Sequence, residues 1–117
     1  MVNVWYLLWH LYGFILNSST VTELHNHTIA KSGNQNWQTY SHAISWSGYK
    51  KIFVLISVVS AMQQSALYDR ILIGYGPVVQ IHWNDGNTGQ VTLTSTGISC
   101  YAKTQTFTFA IYIYGLK

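Results

Sequence analysis

His25 and His27 stand one residue apart in a polar stretch, the first spacing in the chain that could do chemistry. On an extended strand residues i and i+2 point to the same side, so both imidazoles would face one partner. Two rings are too few for a metal site. Three copies of the chain around an axis would gather six imidazoles, an octahedral set suited to a divalent transition metal. The same pair also reads as two solvated or hydrogen-bonded histidines, and both readings stay open.

Aromatic rings form the second group. Trp37, Tyr40, His42, Trp46, Tyr49, His82, Trp83 and Tyr101 fall near turns or at outward-facing alternate positions. Sugar rings present apolar C–H faces that stack on aromatic rings, while Asn, Gln and Thr read the hydroxyls. Trp37, Tyr40, Trp46, Tyr49 and Trp83, with the turn residues Asn84 and Asp85, make up the candidate ligand-binding set. For each ring the rival account is a plug in the core or in a subunit interface.

Catalytic constellations are poorly represented. Glycoside hydrolysis ordinarily uses two facing carboxylates, and the chain has only Glu23, Asp69 and Asp85. Asp85 lies in Asn84-Asp85-Gly86 and reads as a turn residue; Asp69, before Arg70, reads as a surface ion pair or turn cap at a strand start. There is no Gly-x-Ser-x-Gly elbow. Gly74-Tyr75-Gly76-Pro77 leads into a strand, not into the helix N-terminus that binds phosphate. Cys100 is the only cysteine, so no intrachain disulfide forms. Its alternation with Ile98 and Ala102 suggests a buried, inert thiol. Binding rather than catalysis is the expectation, and no cofactor is implied beyond the possible axial metal.

Composition narrows the class. The 117 residues suffice for one domain, yet only 8% are charged while 49% are hydrophobic, against about 25% charged in an ordinary soluble domain. So little charge suggests extra surface hidden in an oligomer, a longer fibre or a membrane. Net charge is +3, with Lys50-Lys51 the only adjacent basic pair; nucleic-acid binding would need a basic stripe. Asn17-Ser18-Ser19 and Asn26-His27-Thr28 match the glycosylation sequon, a tripeptide common in Asn/Ser/Thr-rich chains.

These residues must be held by strands. Phe107, Phe109, Ile111 and Ile113 alternate with Thr and Tyr, the period of a half-buried strand. Ile52 to Val59 is an unbroken apolar run, expected of a central strand covered on both faces. Val79, Ile81 and Trp83, then Val91 and Leu93, flank a turn signal at Asn84–Asn87, which predicts a hairpin with a loop of four to seven residues. Tyr40, His42, Ile44 and Trp46 share another face, and a further strand covers Thr20 to Ala30. Ala61 to Tyr68 is the one stretch with fair helix propensity. About eight strands with frequent turn signals predict an antiparallel, jelly-roll-like β-sandwich spanning residues 19–117. Before it, residues 1–18 form an apolar segment, read as a core strand or a short axial helix. Its run, Val4 to Leu16, is too short to span a bilayer as a helix and lacks the flanks of a secretory signal.

Three stretches carry a resemblance: residues 40–58 (YSHAISWSGYKKIFVLISV), 91–102 (VTLTSTGISCYA) and 107–117 (FTFAIYIYGLK). With their Ser-Gly-Tyr-Lys turn, Thr/Ser-rich hairpin and closing Gly-Leu-Lys, they resemble the C-terminal receptor-binding head domains of phage tail-fibre and minor structural proteins, over roughly Thr20 to Lys117. The resemblance implies a homotrimeric sandwich in the virion tail that binds a saccharide or surface protein of a bacterial host, and in some members a metal held on the axis by His-x-His pairs. It fixes no ligand-contacting residue. A cellular lectin-like module and a ligand-free structural virion protein are the alternatives.

Overall fold

A computed structural model describes residues 21–59, 62–84 and 87–117. Eight strands follow in order: β1 (Val21–Ile29), β2 (Trp37–Ala43), β3 (Lys51–Val59), β4 (Met62–Asp69), β5 (Val78–Asn84), β6 (Asn87–Thr94), β7 (Gly97–Thr104) and β8 (Phe109–Leu116). They form two four-stranded antiparallel sheets, β1-β8-β3-β4 and β2-β7-β6-β5, packed as a sandwich. The apolar segment 1–18 lies outside the described residues.

The alternating positions do what their period requires. Ile52, Val54, Ile56, Ile111 and Ile113 from one sheet meet Val91, Leu93, Ile98, Cys100 and Ala102 from the other in the main core. A second cluster, Phe53, Leu55, Tyr114 and Leu116, occupies the opposite face of the first sheet, with Val21, Leu67 and Tyr112 against it. β3 is therefore buried on both faces, as its unbroken apolar sequence demands. Gly89 is dictated by the same packing: a Cβ there would lie 2.6 Å from the Phe109 ring, which fills the space across the sandwich.

Three local expectations change. Residues 62–69 are strand, because β3 offers a full ladder on that side and Ala66 and Tyr68 can enter the core beside it; a short run of helix formers gains too little from propensity to resist that. Asp69 consequently ends a strand instead of starting one, and a 3-10 turn, Arg70–Tyr75, carries the chain to the second sheet. The β5–β6 hairpin is tighter than expected, since pairing continues to Asn84 and Asn87. Phe107 precedes β8 yet still packs, partly buried, on the core.

The described connections gather at the two ends of the sandwich. The β2–β3 loop, the 3-10 turn and the β6–β7 turn share one end with Lys117, because Lys50 donates its backbone N–H to Leu116 and Arg70 donates to Lys50, each at 2.8 Å. At the other end, Thr104 is buried but satisfied: its hydroxyl donates to the Ala30 carbonyl at 2.9 Å and accepts from the Gln38 amide.

Candidate functional site

The outer face of β2-β7-β6-β5 follows from its register. With Ile98, Cys100 and Ala102 turned into the core, Ser99, Tyr101 and Lys103 must face out. Pairing then places Trp37 beside Lys103, Thr39 and Gln90 beside Tyr101, and Ser41 and Thr92 beside Ser99. Trp37 is 47% exposed and Tyr101 38%, both high for such large rings. Their centroids lie 4.7 Å apart at 77°, edge to face, and the Lys103 ammonium sits 4.9 Å from the Trp37 ring. The edge of one ring against the face of the other, plus a cation, matches the ring quadrupole. Hydroxyl and amide side chains surround this group, with Lys103 the only Lys, Arg, Asp or Glu on the face among the described residues. A sheet surface this poor in charge, with an aromatic corner, suits a polyol that stacks and hydrogen-bonds.

His25 and His27 point the other way, into the open seam where β1 of one sheet runs past β2 of the other. His27 stacks on Tyr40 (3.6 Å, 8°) and His25 on His42 (3.9 Å, 14°). His25 is held below the usual histidine range by burial first, then by His42 and His27. The His25 and His27 imidazoles themselves are near-parallel, with centroids 6.2 Å apart at 16°. Among the described residues no group of three or more His, Cys, Asp and Glu could hold a metal ion.

The remaining candidates scatter. Trp46 is buried at 5% exposure and its indole N–H donates to the Thr94 carbonyl at 2.7 Å, so it serves as a core ring. Tyr40 lies half-buried in the histidine seam. Tyr49 lies at the loop end, backed against Gly115, with the Lys117 ammonium 5.9 Å from its ring. Trp83 and Asn84 close β5 at the opposite end, and Asp85 lies outside the described residues. Of the expected residues whose side chains are described, Trp37 is the one on the exposed sheet face. Lys103, Gln90 and Thr92 were not singled out from sequence, although the alternation through Ile98, Cys100 and Ala102 signals Lys103 as outward.

No protein-family model matches the chain, and neither a curated protein nor a solved structure matches it. Among the described residues no helix is long and apolar enough to cross a membrane.

Proposed function

We propose that this chain is a non-catalytic adhesion module that binds saccharide on the outer face of β2-β7-β6-β5, as the receptor-binding tip of a phage tail fibre or baseplate. The observation that carries the reading is the exposed Trp37–Tyr101 pair, flanked by Lys103 and set in a field of Thr, Ser and Gln. Tyr and Trp supply large contact area with few rotors to immobilise, which favours binding from a rigid sheet. The partner is a cell-surface saccharide or surface protein of a bacterial host, and the site of action is the virion tail. The low charge supports a homotrimer, since copies that associate hide apolar surface. The pairing of early strands with late ones, β1 on β8 and β2 on β7, supports the jelly-roll-like description of the wrap.

The test is a glycan array followed by calorimetry with Trp37→Ala and Tyr101→Ala. Each substitution is expected to weaken a captured glycan at least tenfold while the unfolding midpoint stays put, because both rings are solvent-facing. Equal affinity in both variants would remove this face from consideration. Light scattering addresses the assembly separately: a mass of three chains supports the fibre reading, and a clean monomer favours a lectin-like module.

A further inference from the structure

The six basic residues are unevenly placed. Lys31 lies at one end of the sandwich and Lys103 on the outer sheet face, whereas Lys50, Lys51, Arg70 and Lys117 all come together at the other end. The one carboxylate side chain beside them among the described residues, that of Asp69, is 2.5 Å from the Lys51 ammonium. Glu23 projects from the other side of the first sheet, opposite Tyr114. Lys50, Arg70 and Lys117 are thus left without an ion-pair partner among the described residues.

Arg70 stands between two clefts at this end and lines both. One, of about 310 Å³, is bordered by Ser45, Ser47 and Ser95, from two different loops, with Trp46 below. The other, of about 590 Å³, is walled by Tyr49, Lys50, Ile71 and Asp69, whose carboxylate is held by the Lys51 ammonium. The backbone bonds that tie Arg70 to Lys50 and Lys50 to Leu116 fix this geometry, so the guanidinium is presented by sheet-anchored chain.

We infer that this cleft pair is a second binding site, for a saccharide bearing an oxyanion. Arg70 would receive the carboxylate or phosphate, since a guanidinium fork matches either in a bidentate manner. Tyr49 offers a ring beside it for the sugar face, and the serine hydroxyls of the smaller cleft offer hydrogen bonds to its hydroxyls. Lys50 and Lys117 add attraction that salt weakens. The sugar part rests on the saccharide reading above; the anion, and the place at the loop end, do not.

The experiment is an amide NMR titration of the whole chain with glucuronate, glucose 6-phosphate, glucose and inorganic phosphate. Glucuronate or glucose 6-phosphate is expected to shift the amides of residues 45–50 and 70–74 at concentrations at least tenfold below those at which glucose does. Arg70→Gln should remove that advantage, Arg70→Lys should keep only part of it, 0.5 M salt should weaken it, and Trp37→Ala should leave it unchanged. A preference for one of the two acids tells carboxylate from phosphate as the recognised group. The inference is overturned if glucose shifts these amides as readily as the acids, if folded Arg70→Gln binds them as tightly as wild type, or if inorganic phosphate alone reproduces the whole effect. Loss of sheet-face binding with the loop-end response intact would sink the earlier reading and leave this one standing.

Discussion

His25 Nε2 and the Tyr40 hydroxyl share a hydrogen bond of 2.7 Å across the seam between the two sheets, although 15 positions separate them in the chain. The rings are close to parallel, at 11°, with His27 stacked on Tyr40 and His42 on His25. Among the described strands β1 and β2 are both edge strands with no backbone ladder between them, so this array of four rings clasps one edge of the sandwich.

That clasp should be sensitive to acid. His25 is flanked in the sheet by Ile113, and its stacking partner His42 is flanked by Ile98. The groups it faces are His27, His42 and Tyr40; Glu23, the carboxylate on its own strand, pairs with Tyr114 on the other face. With its pKa below the ordinary 6.5, the unfolded chain takes up the proton before the folded one. Stability from the neutral ring is therefore full above about pH 6.5 and is lost as pH falls through the lower folded value. Thermal midpoints at pH 7.5 and 5.0 should differ more for wild type than for His25→Phe, and parallel curves would count against the clasp.

Gly89 is bound to Phe109 by space. Gly89→Ala should cost about 1–3 kcal/mol by overpacking, measured by urea unfolding. Shortening the opposing ring should relieve it, so Gly89→Ala combined with Phe109→Leu should cost less than the two changes summed. Strict additivity would mean that the contact at 2.6 Å relaxes without resistance.

Trp46→Phe removes the donor to the Thr94 carbonyl and leaves that part-buried oxygen without this bond. A loss of about 1–3 kcal/mol is expected, with no change in glycan affinity. A drop in affinity at unchanged stability would restore Trp46 to the binding set.

Burial pushes the Cys100 thiol up to about 11, so almost none is thiolate at pH 8. An aromatic disulfide reagent at that pH should modify it only at the rate of unfolding, and rapid labelling of the folded protein would contradict the packing described.

Local periodicity already determined most strands. The unbroken run in β3, the alternation of β7 and β8, and the hairpin from Val79 to Leu93 each write their burial into neighbouring residues, because side-chain direction on a strand depends only on parity. Parity also placed His25 and His27 on one side. It did not say which side, nor what stood opposite: Tyr40 and His42 arrive there only because β1 and β2 become edge strands of different sheets. The same holds for Met62–Asp69, whose weak helical preference yields to the pairing β3 makes available. Trp46 shows the limit most plainly, since a ring near a turn reads as surface until the Thr94 carbonyl takes its N–H inside the core. The meeting of Arg70 with Ser45, Ser47 and Ser95 joins three separate connections at one end. Sequence carries what neighbours dictate; proximity between distant segments belongs to the sheet order, which sets the strands side by side.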